Sequence, residues 1–214
     1  ILYNRTNEIW NAATDGAAWD RLLQFIALQH AHVPTDLILE EDLTPALLKS
    51  YEVVYINGIN LPRQRLLALT DWVQAGGTLV GTGGAAMRDE YDDPLQESAT
   101  LFGARQRIVD ASEGKQWPLD IVDHKPVGTV SITDSELTSK MTAGVVGLKV
   151  ELSPTTGKSV GTFENGACAA VTNELGNGRT LLLGVQPGHL YAHNAPRKEM
   201  RPITYTADRR ALVT

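Results

Sequence analysis

The sequence predicts an α/β fold: a doubly wound, mostly parallel sheet with helices on both faces, followed by antiparallel β-hairpins. Three observations carry this. In the first half of the chain, short β-rich runs alternate with amphipathic helical runs, the pattern of strand–helix–strand units. In the second half the helical periodicity stops and β-type runs follow one another, with Asn-Gly pairs at Asn165-Gly166 and Asn177-Gly178 that suit tight hairpins. Between them, Asp71 to Gly84 reads as a helix end, a glycine stop, a buried strand and a glycine-rich turn.

Taken in order, Ile1 to Tyr3 read as the tail of a strand, and Asn4 to Thr14 as a polar irregular segment. A helix is expected from Gly16 to His32, with Asp15 as N-cap and Trp19, Leu22, Leu23 and Ile26 on its inner face. Val33-Pro34 stops it, because the residue before proline avoids the helical region. Thr35 to Leu39 reads as a strand, and Thr44-Pro45 opens a short helix with the threonine as cap and the proline at the first helical position. Tyr51 to Asn57 is a strand; Asn60 is expected to cap the next helix, which carries Leu66, Leu69 and Val73 on one face. Gly76 ends that helix in the left-handed conformation, and Thr78 to Thr82 is the following strand. Right-handed crossovers between such strands give a flavodoxin-like, doubly wound arrangement.

Residues Asp110 to Pro126 read as a connector, rich in charge and proline. Strands are expected over Val127 to Thr133, Leu148 to Leu152, Ser159 to Phe163, Ala167 to Thr172 and Arg179 to Val185. The run Thr180 to Val185 is almost wholly apolar and belongs inside a sheet. Residues 1–194 are expected to form the domain, and 195–214 a basic tail leading to another part of a longer protein. A first residue other than Met, already inside a strand, fits a piece of a longer chain.

Composition narrows the function. With 43% hydrophobic and 21% charged residues the chain can build a sizeable core. A net charge of −6 argues against a nucleic-acid surface, which needs basic residues to displace counterions. No apolar run reaches the roughly 18 residues of a membrane-spanning helix. The single cysteine, Cys168, excludes an internal disulfide and thiolate-rich metal sites, and reads as a small buried side chain.

The order of short motifs resembles the class I glutamine amidotransferase-like domain. It is most similar to the non-catalytic form found inside family 42 β-galactosidases, the trimerisation domain. The matching segments are Ile1 to Asn4, Asp42-Leu43, Trp72 to Val80, Arg88 to Asp93, Leu101-Phe102-Gly103, Ala167 to Asn173 and Gly176 to Arg179. The resemblance implies a module serving a larger, carbohydrate-active enzyme by oligomerisation, as a trimer by analogy, or by shaping a neighbouring active site. It also implies where catalysis would sit: a cysteine on the turn after Thr78 to Thr82, and a histidine and glutamate after the last strand. This chain has Thr82, Gly83, Gly84 and Ala85 at the turn. The last strand ends Gly184-Val185-Gln186-Pro187-Gly188-His189, with the histidine displaced and Leu190-Tyr191 in place of Pro-Glu. Amidotransferase chemistry is therefore not expected, and no cofactor or metal site is assigned.

Other sites remain open from sequence. A crevice at the strand ends, near Asn4, Asn57, Gly83, Gly84, Asp89 and His189, is a candidate for a sugar or a small anion. The run Asp89-Glu90-Tyr91-Asp92-Asp93 is either a cation site or a solvated loop. His189 or His193 with Asp89 or Glu90 is the last hydrolytic alternative, although Pro187-Gly188 argues against a regular helix there. Trp10 and Trp117 are the better sugar-stacking candidates, whereas Trp19 and Trp72 read as core or interface residues.

Overall fold

The computed structural model describes residues 1–11, 16–112, 124–133 and 140–193. The expected N-cap Asp15, the candidate stacker Trp117 and the tail 195–214 lie outside the described residues.

The N-terminal half holds β1 (Leu2–Tyr3), α1 (Arg5–Asn11), α2 (Ala17–His30), β2 (Ile38–Leu39), a 3-10 turn (Glu40–Asp42), α3 (Pro45–Leu48), β3 (Val53–Ile56), α4 (Arg63–Gln74) and β4 (Thr78–Gly81). The remainder holds α5 (Glu97–Phe102), β5 (Ala104–Ala111), β6 (Thr129–Ile132), β7 (Met141–Gly144), β8 (Leu148–Pro154), β9 (Lys158–Phe163), β10 (Cys168–Leu175), β11 (Gly178–Leu183) and α6 (Pro187–Ala192).

The fold is α/β with a mixed sheet. Nine strands share it, along the path β3-β4-β11-β10-β9-β6-β7, with β8 pairing to β10 and β5 pairing to β8. β1 and β2 form a separate parallel pair. Within the large sheet only β3–β4 and β4–β11 are parallel. Every other pairing is antiparallel, so a mostly parallel sheet is not what this chain builds. The reason lies in the connections. Hairpins force antiparallel neighbours, and the turns at Asn165-Gly166 and Gly176-Asn177 join β9 to β10 and β10 to β11. β11 lies between β4 and β10 as its apolar sequence requires, so the switch from parallel to antiparallel pairing occurs on this strand.

Several local expectations change. The segment after Asn4 is the helix α1, because Asn4 Oδ1 accepts from the Asn7 backbone N–H at 3.2 Å and supplies the missing cap. Asn60 does not cap α4; its side chain bonds to Asn11, Asp89 and Asp92, and Pro62 precedes the first turn instead. Thr44 caps α3 as its sequence suggests, accepting from Leu47 N–H at 3.2 Å. Gly76 ends α4 with φ of 124°, into open space. The expected connector is β-structure at its start, since Asp110 and Ala111 pair with Lys149 and Leu148. β7 has no counterpart among the expected strands.

The orientation of α2 differs most. Leu22 is 43% exposed, and the buried face carries Ala17, Asp20, Arg21, Gln24, Ala27 and Leu28. Trp19 and Leu23 pack only at its margin. Three polar residues on the inner face of a helix demand buried partners. Arg21 finds Glu8 at 2.7 Å, and its guanidinium lies 4.4 Å from the centroid of the Tyr3 ring. The partners of Asp20 and Gln24 organise the strand ends.

Candidate functional site at the strand ends

The carboxyl ends of parallel strands in an open α/β sheet are where such folds place ligands. Here Asn57 follows β3 and Thr82 follows β4, and both are buried. Asp20, 0% exposed, reaches in from α2. Its Oδ2 accepts from Gln24 Nε2 at 2.9 Å, Thr82 Oγ1 at 3.0 Å and Asn57 Nδ2 at 3.3 Å. Its Oδ1 accepts from the Gly188 backbone N–H of α6 at 2.7 Å. Burial raises the Asp20 pKa to about 6, and these donors oppose the rise. Gly188 is required for the approach: a Cβ there would run into the backbone carbonyl of Asp20.

The six residues nominated from sequence belong to this closed polar region and its surroundings, and all six are buried. Asn4 Nδ2 donates to the carbonyl of Asn60 at 2.5 Å and, at 3.5 Å, to that of Asn57. Asn57 then leads to Asp20. Gly83 N–H donates to Val185 O at 2.8 Å, and Gly84 N–H to Gln106 Oε1 at 3.2 Å. Neither glycine therefore leaves its N–H for an anion. Asp89 joins through Asn60, whose Nδ2 donates to its backbone carbonyl at 3.0 Å. The Asp89 carboxylate is satisfied by its own loop and by Arg63 of α4. Tyr91 N–H and Asp93 N–H donate to Oδ1, each at 3.0 Å, and Arg63 Nη2 lies 3.2 Å from Oδ2. Burial pushes its pKa up, but those N–H groups and Arg63 outweigh burial and leave it below the usual carboxylate value. The acidic run is thus an internally bonded loop: Asp89 is 5% exposed, and Arg88 pairs with Asp92 at 3.3 Å. Among the described residues, no group of three His, Cys, Asp or Glu side chains is placed to hold a metal ion.

His189 stands apart. It lies on α6, where Pro187 opens a short helix at its first position, so Pro187-Gly188 starts a helix rather than preventing one. The imidazole is 3% exposed, packed against Gly16 and Gly147. Burial drives its pKa down to about 3, with a smaller upward pull from the Gly16 backbone and a further lowering by His124. Neither ring nitrogen finds a well-aligned hydrogen-bond partner. Its two flanking glycines leave room for the ring, since a Cβ on Gly16 would come within 2.6 Å of Cε1.

The residue that the sequence does not mark as functional is Asp20. A carboxylate amid an amphipathic helix reads as a solvated face, and only the spacing of Ala17, Asp20, Gln24 and Ala27 marks it as inward. The strand-end turn itself carries no thiol: Cys168 is on β10, its Sγ 3.2 Å from Ser159 Oγ.

The beta-galactosidase trimerisation domain family matches residues 8–197 of the sequence. The chain belongs to this family. No curated protein matches it. Among solved structures, the β-galactosidase of Bacillus circulans sp. alkalophilus superposes with a TM-score of 0.63 at 17% identity, over 78% of this chain and 24% of that one. An exo-β-1,4-mannosidase from Opitutaceae bacterium strain TAV5 gives 0.58 at 16% identity, over 82% of this chain and 28% of that one. A putative GMP synthase component from Thermoplasma acidophilum gives 0.52 at 14% identity, over 89% and 82%. These likenesses are of fold. The trimerisation-domain chain spans about a quarter of the length of the two glycosidases. Among its described residues no helix is long and apolar enough to cross a membrane.

Proposed function

We propose that this domain is the non-catalytic assembly module of a longer, carbohydrate-active enzyme, holding three copies of the parent chain together. Membership of the trimerisation-domain family carries this reading. The glycosidases it resembles devote about three quarters of their chains to other parts, where the parent's bond-breaking chemistry would reside. The closed strand ends support the same view: the polar groups there bond to one another and act as structure rather than as a ligand crevice.

A contact surface is available. Ile9 is 75% exposed, Trp10 50% and Tyr91 76%. Large apolar side chains this open are what an interface covers, and Trp and Tyr are its usual anchors. Trp10 is also held in place: its Nε1 donates to Glu90 O at 3.2 Å, so its side chain loses less freedom on docking.

We also read the parallel half as flavodoxin-like. The parallel pairing of β1 with β2, the contacts of β1 with β3 and the parallel neighbours β3, β4 and β11 support the order β2-β1-β3-β4-β11 of that fold. Residues 1–194 are taken as the domain and 195–214 as the lead into the next part of the chain.

The test is the molar mass of the full-length protein in solution, by light scattering and sedimentation. The expected result is a trimer that the double variant Trp10→Ser with Tyr91→Ser dissociates without changing the circular dichroism spectrum. A full-length protein that stays monomeric at tens of micromolar overturns the reading.

A further inference from the structure

We infer that the closed strand-end region is built as a carboxylate-binding site whose resident ligand is the chain's own Asp20. The donors come from separate parts of the fold: Thr82 after β4, Asn57 after β3, Gly188 N–H at the start of α6, and Gln24 one turn along α2. They converge on one carboxylate, with distances of 2.7 to 3.3 Å. All four are neutral donors, and Asp20, Asn57, Thr82 and Gln24 are each at most 1% exposed. This is the construction of an anion receptor, with backbone and side-chain N–H and O–H groups aimed at the two oxygens of one planar group. Three of the four donors lie outside α2, so the receptor is assembled by the sheet ends and α6, and α2 delivers the occupant.

The crevice that this fold offers to outside molecules is thus occupied from within, which accounts for a strand-end region without a free donor at Gly83, Gly84 or Thr82. The same contact also ties α2 and α6 to the strand ends. Removing the Asp20 carboxylate while leaving its Cβ would expose a vacancy the size of formate, lined by donors that have lost their acceptor. The ligand class is therefore a small monocarboxylate.

The experiment uses Asp20→Ala in the full chain, with sodium formate added and sodium chloride at matched ionic strength as control. Asp20→Ala is expected to melt below wild type, and formate to raise its Tm along a saturable curve that chloride does not reproduce. Asp20→Asn fills the vacancy and is expected to show no formate-specific rise; wild type likewise. Equal formate effects on all three proteins, or none on Asp20→Ala, would overturn the inference. If Asp20→Ala does not fold in buffer, refolding from urea with and without formate decides: recovery only with formate supports the site, and failure in both overturns it. In wild type, hydrogen exchange gives an independent reading. The Gly188 N–H is expected to exchange as slowly as the amides of β11, and fast exchange would contradict the receptor. The outcome is independent of the protein's oligomeric state.

Discussion

Thr82 Oγ1 donates to Asp20 Oδ2 across 3.0 Å, joining the end of β4 to a helix 62 positions earlier in the chain. Both residues are 0% exposed, so the pair is formed entirely away from water. A hydrogen bond to a charged group contributes about 1.5–3 kcal/mol. Thr82→Val keeps the shape and removes the donor; it is expected to cost roughly that amount in urea unfolding. Thr82→Ser keeps the hydroxyl and gives up one methyl, worth about 0.8 kcal/mol. A Thr82→Val variant as stable as wild type, with the loss confined to Thr82→Ser, would place the contribution of Thr82 in packing rather than in its bond to Asp20.

Asp20 and His189 set opposing pH dependences. The Asp20 pKa is raised from 3.8 to about 6, so the folded chain holds the extra proton and stability falls as pH rises from about 4 to 6. The His189 pKa is lowered from 6.5 to about 3, so the unfolded chain holds the extra proton and stability rises with pH from about 3 to 6.5. Each slope is at most about 1.4 kcal/mol per pH unit, and the two offset each other between about pH 4 and 6. Asp20→Asn should leave the positive slope of His189, and His189→Leu the negative slope of Asp20. Urea unfolding of both variants and wild type at about pH 4, 5 and 6 checks this, and parallel curves for the three proteins would refute it.

What the sequence made legible follows from how local each signal is. Thr44-Pro45, Gly76 and Asn165-Gly166 act through their own backbone, and the structure places a cap and turns at those points, whereas the second hairpin turns one residue earlier than Asn177-Gly178, at Gly176-Asn177. The interior position of β11 follows from its unbroken apolar run. The parallel half is smaller than the strand–helix alternation implies, because sheet direction depends on which strands meet, and β5 meets its partner β8 far along the chain. Among the site residues, Asn57 and Gly83 can be located from strand ends alone. Asp20 cannot, since its carboxylate is inward only because Asn57, Thr82 and Gly188 are there to bond it. In the sequence Asp89 stays open between a crevice residue, a cation ligand and a solvated acid, because the N–H groups that satisfy it belong to a turn with no sequence signature of its own.

Lys149 and Glu164 bring the Lys149 ammonium to 2.6 Å from Glu164 Oε1, with the lysine side chain 8% and the glutamate side chain 42% exposed. The Lys149 hydrogen bond and the Thr129 N–H hold the Glu164 pKa down to about 2. A depressed carboxylate pKa contributes stability that is present above about pH 4.5 and is lost as pH falls through about 2. Screening at the half-exposed carboxylate limits the pair to about 1 kcal/mol, but Glu164→Gln also leaves a buried ammonium less well paired. Glu164→Gln is expected to destabilise the protein by about 1–2 kcal/mol at neutral pH, and the gap to wild type should narrow as pH falls toward about 2. A gap that stays constant across that range would assign the loss to shape instead.

Gly188 and Gly76 separate two reasons for a glycine. Gly76 has φ of 124° with nothing within 4 Å of where a Cβ would sit, so Gly76→Ala meets only backbone strain, about 1–2 kcal/mol. At Gly188 the obstacle is space, because a Cβ there meets the Asp20 backbone carbonyl and lies 2.9 Å from Asp20 Oδ1. Gly188→Ala must move α6 away from α2 and break the Gly188 N–H bond to the carboxylate. It is expected to cost about 3 kcal/mol or more, from overpacking together with the lost bond. The same displacement weakens the hold on Asp20, so in Asp20→Ala the bond is already gone and Gly188→Ala should cost less. A double-mutant cycle on the two positions measures this coupling, and strict additivity would show that Gly188 is needed for reasons unrelated to the carboxylate.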